Sequence, residues 1–368
     1  MKYNTKKQER RLQNGMDEKK QKRAADYDIK IGHLPCGRYN KITDVSGIRV
    51  GHATIKDSNN YTGVTVLLPS PDNLFVHKMP AASYVLNGFG KSVGLIQIDE
   101  LGTLEAPLAL TATLNVGKVL DGMMDYVLDL CEKDGISVQS VNIPVLECND
   151  GVINHIRNRA VCREHVFEAI RNACEDFPEG DIGGGTGMMC HGLKGGIGSA
   201  SRIINIGGED FTVGILVQTN YGALADLRID GEKIGERILS GKLQTKESEK
   251  GSVIVILATD APLSSRQLRR ALKRIGVGLA RDGSYTSHGS GEVFLGFSTA
   301  NIVHDDGQAF HTVRLIKDDS LNPVFRAAAE ATEEAVLNSM LCAERAVAID
   351  GTPIHSLREY LEQEKRRD

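Results

Sequence analysis

The stretch Gly251-Ser-Val-Ile-Val-Ile-Leu257 decides how this chain is read. Residues 253–257 are apolar and mostly β-branched, with no polar residue alternating among them. That is the pattern of a strand covered on both faces rather than one facing water. A strand of this kind needs packed layers on either side, which points to a mixed α/β protein. Just upstream, residues 226–250 are polar and rich in Lys, Glu, Gly and Ser, the composition of a surface loop. The loop reading stops at Gly251-Ser252, where the strand begins at once.

Outward from this point the apolar periodicity continues to alternate between strand and helix. Toward the N-terminus, 64–68, 93–98 and 141–146 read as strands, as do 203–206 and 211–217. Leu120, Met123, Met124, Val127, Leu128 and Cys131 follow helical spacing, with Gly135 suited to the position after the helix end. A second helix is expected over 165–174. Toward the C-terminus, Ser264-Ser-Arg-Gln267 is a capping box, and Leu268, Leu272, Ile275 and Leu279 form the buried stripe behind it. Residues 291–300 read as a strand. Asn322-Pro323 opens a final helix expected to run to about Ala346, with Asn322 as its cap and proline at the first helical position.

Composition bounds the function. The chain has 368 residues, 41% of them hydrophobic and 25% charged, with a formal net charge of -4. This is an ordinary globular composition, without the basic excess of a nucleic-acid or anionic-membrane binder. No apolar run approaches the roughly 18 residues of a membrane span. The seven cysteines are scattered without C-x-x-C spacing, so neither a zinc site nor a redox pair is expected. With no secretory leader visible, a cytoplasmic location is expected. Residues 1–29 carry nine Lys/Arg and five Asp/Glu with few apolar side chains, and read as a disordered charged tail. The remainder, 30–368, reads as one catalytic domain.

Several polar clusters sit at the ends of expected strands. A serine hydroxyl is a weak nucleophile without a base. Cleavage before Ser252 would supply one, because the freed α-amine has a reference pKa of about 7.7–8.0, near working pH. Glycine at 251 lets the backbone strain and gives the hydroxyl access to the carbonyl before it. Read locally, Gly-Ser is also simply a turn. Ser290 and Glu292, in Ser287-His-Gly-Ser-Gly-Glu292, lie two apart at a strand start and so share one face. They suit joint orientation of a hydroxyl or an ammonium. A Ser252–His288–Glu292 triad is the alternative use. Asn220 ends a strand and has the amide for an oxyanion donor, though Asn also favours turns. Glu147 and Asp150, in Glu147-Cys-Asn-Asp-Gly151, end another strand, and one carboxylate there suits a substrate ammonium. The glycine-dense Gly183–Gly198 fits an anion cradle, a close pass beside a reacting centre, or tight packing; it has no lysine in the phosphate-loop register.

Taken together and in this order, these stretches resemble the DmpA-type L-aminopeptidase/D-esterase family, which includes the β-peptidyl aminopeptidases. The match rests on Ile42-Thr-Asp-Val-Ser-Gly-Ile-Arg-Val-Gly-His52, the segment ending Gly195-Gly-Ile-Gly-Ser-Ala-Ser-Arg202, Gln218-Thr-Asn-Tyr-Gly222 and Gly251-Ser252. It continues through Ser287–Asn301 and Ala331-Thr-Glu-Glu-Ala-Val-Leu-Asn338. The resemblance implies an αββα four-layer sandwich, shared with the ornithine acetyltransferase type, cleaved into α and β chains between Gly251 and Ser252. It implies Ser252 as nucleophile with its own amine as base, Ser290 and Glu292 beside it, and Asn220 as oxyanion donor. Glu147 matches the residue that holds the substrate ammonium. Asn149 stands where some relatives have tyrosine, which alters the pocket and leaves its substrate preference open. Short peptides, amides or esters with a free N-terminus are the implied substrates. No metal or cofactor is implied, and a homo-oligomer, a tetramer by family resemblance, is. An acyl-transferase of the ornithine acetyltransferase type is the nearest rival, disfavoured because those enzymes use threonine. A non-enzymatic binding protein on the same fold is the other.

Overall fold

The computed structural model describes residues 21–241 and 251–364. In chain order its longer strands are β1 (Arg49–Lys56), β2 (Tyr61–Leu68), β3 (His77–Gly88), β4 (Leu108–Ala112) and β5 (Val145–Cys148). They continue as β6 (Ile197–Ile206), β7 (Glu209–Asn220), β8 (Ser252–Thr259) and β9 (Gly291–Ser298). The described α-helices are α1 (Leu95–Leu101), α2 (Val116–Lys133), α3 (Arg163–Arg171), α4 (Ile234–Ser240), α5 (Ser265–Arg281), α6 (Asn322–Leu341) and α7 (Leu357–Glu364).

The strands form two main sheets. One has the order β1-β2-β4-β5 and is antiparallel except for the parallel pair β4/β5. The other runs β3-β9-β8-β7-β6, antiparallel except for β8/β9, with short strands Val303–His304 and Thr103–Leu104 added against β3. As its sequence requires, β8 is central and buried along its whole length. Its alternate side chains serve two different cores. Ile254, Ile256 and Ala258 pack with Leu108, Leu110 and Leu146 of the first sheet. Val253, Val255 and Leu257 pack with Leu268, Leu272 and Ile275 of α5 and Ala331 and Ala335 of α6. Each of these large side chains contributes about 1.5–3 kcal/mol on burial, which anchors β8 in a single register. On the far side of the first sheet, Val119, Met123 and Val127 of α2 and Val166 of α3 pack on Val64, Val66 and Val145.

Two of the helix signals hold in detail. Ser264 accepts from the Gln267 amide and Gln267 answers the Ser264 N–H, closing the expected capping box. Gly135 takes φ of 70° just past α2. Four expectations change. Residues 93–98 are not a strand: Val93 makes one bridge to Val145, and Gly94, at φ 81°, turns the chain into α1. An apolar run of six does not by itself distinguish strand from helix. The strand expected at 141–146 begins only after Pro144, which has no N–H for the ladder. The polar segment 226–250 contains α4, held by the buried side chains Ile234 and Ile238, and its residues 242–250 lie outside the described residues. The helix opened at Asn322 is capped by Leu321, ends at Leu341, and is followed by α7.

The tail reading also needs correction where it can be compared. Residues 1–20 lie outside the described residues, but 21–29 are seated on the body. Ala24 and Tyr27 are buried, and the Ala24 N–H donates to Asn338 Oδ1 at 2.9 Å. Arg23 pairs with Glu179 at 2.7 Å and donates to the carbonyls of Tyr39, Asn40 and Ser199. One half-buried arginine with a carboxylate and three carbonyls orders a segment that lacks an apolar stripe, so composition could not reveal it.

The glycine-dense segment answers to packing. A Cβ at Gly184 would lie 2.3 Å from Gln218 Oε1 and 2.6 Å from Leu110 O, and one at Gly196 would lie 2.0 Å from Gly180 O. The segment threads between strands of the two sheets where only hydrogen atoms fit. Among the described residues no helix is long and apolar enough to cross a membrane.

Candidate active site

Register brings the site together. Asn220, the last residue of β7, is the antiparallel partner of Ser252, the first residue of β8. Ser252 is in turn the parallel partner of Gly291, the first residue of β9. From the other sheet, the end of β5 approaches the same place: the Cys148 thiol donates to the Ser252 carbonyl at 3.5 Å. Strand ends from both sheets therefore converge on Ser252. By alternation its side chain lies on the same side of β8 as Ile254 and Ile256, toward the first sheet.

That side opens into a cavity of about 520 Å³ lined by Ser252, Gly251, Asn220, Glu147, Asn149 and Thr113, among others. Phe89, Val152, Met189 and Tyr221 supply its apolar wall, and Lys91 and Glu147 are the charged residues in its lining. This is the character of a small-molecule site: mostly apolar, with a few convergent polar groups.

Glu147 is 3% exposed and is prepared as an acceptor. The Lys91 N–H donates to its Oε1 at 2.7 Å, and the Thr113 hydroxyl donates to its Oε2. Two donors fix the carboxylate's orientation while leaving lone pairs for a third, such as an ammonium. Asn220 is fixed in the complementary sense. Its Oδ1 accepts the Met189 N–H at 3.0 Å, which leaves the amide NH₂ as the free end beside Ser252. Asn149 lines the same cavity but spends its Oδ1 on the Gly151 N–H, closing an Asx turn.

Ser290 and Glu292 are brought close to Gly251 rather than to the main cavity. With Gly251 and Tyr221 they line a second cavity of about 20 Å³. The Ser290 hydroxyl donates to Glu292 Oε1, and burial raises the Glu292 carboxyl above its ordinary value. Asn87 donates to the Ser290 carbonyl and braces the turn. The Gly251 carbonyl accepts the Gly291 N–H at 3.0 Å. Gly251 has its own steric reason: a Cβ there would lie 2.3 Å from Asn220 O and 2.6 Å from Tyr221 Cα.

The alternative Ser252–His288–Glu292 triad is not assembled. His288 is exposed on the rim of the larger cavity, and among the described residues its ring bonds neither Ser252 nor Glu292. Asp150 is not part of the larger cavity's lining: it is buried, accepts from Asn154 Nδ2 at 3.0 Å, and is pushed by burial up to about 6. Sequence reasoning did not find Thr113, the Lys91 N–H or the Met189 N–H. Two of the three are backbone groups, which carry no residue signature, and Thr113 lies in an unremarkable turn after β4.

Motif residues away from the cavity serve the scaffold. His52 is buried between Thr65 Oγ1 at 2.9 Å and the Pro178 carbonyl at 3.1 Å. Asn338 donates to the Ser199 carbonyl at 2.9 Å and Glu334 pairs with buried Arg202 at 2.7 Å, tying α6 to β6.

This mixed α/β fold, with polar strand ends around one cavity, matches a defined class of hydrolases. The model of peptidase family S58 matches residues 40–354, and the chain belongs to that family, the one that contains the DmpA-type and β-peptidyl aminopeptidases. The β-peptidyl aminopeptidase BapA of Sphingosinicella xenopeptidilytica is 34% identical over 359 residues, covering 91% of this chain and 88% of that protein. The crystal structure of the PH0078 protein from Pyrococcus horikoshii OT3 is similar with 45% identity and a TM-score of 0.87, over 94% of this chain and 99% of that one. The L-aminopeptidase D-Ala-esterase/amidase of Ochrobactrum anthropi, described as a variant of the Ntn hydrolase fold, is similar with 32% identity and a TM-score of 0.83, over 94% and 99% of the two chains. The protein is thus a hydrolase of the peptidase type.

Proposed function

We propose that this protein is a self-processing serine aminopeptidase. It cuts its own chain between Gly251 and Ser252 and then removes N-terminal residues from short peptides, amides or esters, with the layers of its fold in αββα order. The observation that carries this reading is the meeting of Ser252 and the free end of Asn220 at one cavity with the buried, doubly bonded carboxylate of Glu147.

In the processing step the Ser252 hydroxyl attacks the Gly251 carbonyl carbon. The Gly291 N–H already polarises that carbonyl. The C–N bond breaks, the Ser252 nitrogen takes the proton, and water hydrolyses the resulting ester to free the hydroxyl and the amine.

In turnover, Glu147 holds the substrate's ammonium and so selects a free N-terminus. The Ser252 amine accepts the hydroxyl proton as Oγ attacks the carbonyl carbon. Asn220 Nδ2 donates to the developing oxyanion, a contribution of about 3–4 kcal/mol in comparable sites. The protonated amine then delivers its proton to the leaving nitrogen. Water resolves the acyl-enzyme by the same route in reverse. Ser290 and Glu292 orient the new amine and hydroxyl from the Gly251 side. No metal or cofactor takes part, the partners are small substrates rather than nucleic acid or membrane, and the working form is a cytoplasmic homo-oligomer, a tetramer.

Intact-mass measurement of the purified protein, with a panel of aminoacyl p-nitroanilides, tests this. Two chains, of 251 and 117 residues by subtraction from 368, and release of nitroaniline from free but not N-acetylated substrates are expected. An unbroken chain that still hydrolyses amides would overturn it.

A further inference from the structure

The small cavity beside Gly251 contains polar groups that the proposed chemistry leaves unexplained. Glu292 is completely buried, and although its Oε1 accepts from Ser290, its Oε2 has no hydrogen-bond partner. Tyr221, 4% exposed, has a hydroxyl likewise without one. Both residues line the cavity of about 20 Å³, together with Ser290 and Gly251. An unpaired buried hydroxyl or carboxylate oxygen costs about 1–3 kcal/mol or more, so two on residues that line one space call for a shared partner. The space suits one water, which needs roughly 10–15 Å³ and two to four polar neighbours.

We propose that one ordered water sits in this cavity, bonded to Tyr221 Oη and Glu292 Oε2, and that through it Tyr221 positions the Glu292 carboxylate. The proposal rests on the aminopeptidase reading for its kinetic consequence, but not for the water itself. The phenol donates to the water and the water donates to Oε2, while the Ser290 hydroxyl donates to Oε1. Both carboxylate oxygens are then held and the group cannot rotate away from the Gly251 side. Tyr221 is Asn220's neighbour in sequence, so one strand end would set both the oxyanion donor and the acid residue.

The surroundings favour this direction of donation. Burial, with Cys190, Asp282 and Glu292 nearby, keeps the Tyr221 phenol protonated and able to donate. Asp282 is itself fully buried, which pushes its carboxyl well above its ordinary value, and His191, against the Tyr221 ring at 5.2 Å, is held neutral with its value lowered to about 4. No cation is among these groups, so hydrogen bonds from Ser290, from the Glu292 main chain and from the water stabilise the Glu292 anion. Donors to a carboxylate lower its pKa, and removing one raises it.

The test is Tyr221→Phe, which deletes only the hydroxyl. The Glu292 carboxyl, followed by its infrared stretch across a pH series, is expected to titrate about half a unit or more higher in the variant, with KM changed less than twofold. A profile superimposable on that of the unmodified enzyme would overturn the positioning role. A high-resolution crystal structure of the unmodified protein supplies a readout independent of activity and of correct processing in the variant. An ordered water within hydrogen-bond distance of both atoms is expected, and a direct Tyr221–Glu292 contact or no shared water would overturn the proposal. Should the unmodified protein lack peptidase activity altogether, the function proposed above falls, while the crystallographic result still decides the water.

Discussion

Asn220 and Ser252 face each other as register partners at the open ends of β7 and β8, and the Met189 N–H holds the Asn220 amide with its donor end free. The side chain is therefore set before any substrate arrives, which is what makes a hydrogen bond to a transient charge effective. Asn220→Ala should lower kcat by about 100- to 1000-fold while changing KM little, because the bond is made in the transition state. Steady-state kinetics on an aminoacyl anilide measure this; an equal loss confined to KM would assign Asn220 to ground-state binding instead.

Ser252→Ala should give one uncut, inactive polypeptide on a denaturing gel. Gly251→Ala should also slow processing, for a different reason. The added methyl would meet Asn220 O at 2.3 Å and push the scissile bond out of line with its neighbours. Processing slowed by tenfold or more is the expected scale, since misplacement by about 1 Å is enough for larger effects. Time-resolved mass spectrometry of freshly made protein separates the two variants: one never cuts, the other cuts late.

Glu147→Gln keeps the shape of the side chain and removes its charge. The amide oxygen can keep the Lys91 N–H bond, and the amide NH₂ can donate to the Thr113 hydroxyl oxygen in a reversal of that bond, so the fold should be unchanged. A charge-assisted bond to an ammonium is worth about 1.5–3 kcal/mol, which predicts a loss of roughly 10- to 150-fold in kcat/KM for free-amine substrates. Discrimination against N-acetylated substrates should shrink by a similar factor. Unchanged discrimination would place the ammonium elsewhere in the cavity.

His52 predicts a pH dependence of stability. Burial lowers its value to about 3, against an ordinary 6.5. Between those two values the unfolded chain binds the proton and the folded chain does not, so stability rises with pH through this window. The contribution is complete above 6.5 and is lost as the solution is acidified toward 3, at about 1.4 kcal/mol per pH unit. Urea unfolding of His52→Gln at a series of pH values should give a shallower slope in this range than the unmodified protein, even though its stability near neutrality is lower. Parallel slopes would show that other groups dominate acid unfolding.

Much of this architecture was legible in the chain because its physical causes are local. An unbroken β-branched run calls for a strand with cover on both sides, and a serine four residues before Leu268 with glutamine between them calls for a helix start. Where cause and pattern part company, reading fails. Arg23 orders residues 21–29 through partners as distant as Glu179 and Ser199, and six apolar residues at 93–98 fit a strand as well as the helix that Gly94 turns them into.

The site divides along the same line. Sequence alone determined which residues are candidates for the chemistry: Ser252 behind a glycine, Asn220 at a strand end, Ser290 two before Glu292, and Glu147 at the end of β5. Tertiary structure alone decided how they are shared out, with Glu147 and Asn220 facing the larger cavity and Ser290 and Glu292 on the Gly251 side. It also supplied the backbone donors from Lys91 and Met189 that aim them. The physical reason is that side-chain chemistry is written in residue type, whereas strand register and main-chain hydrogen bonds exist only once segments far apart in the chain have packed against one another.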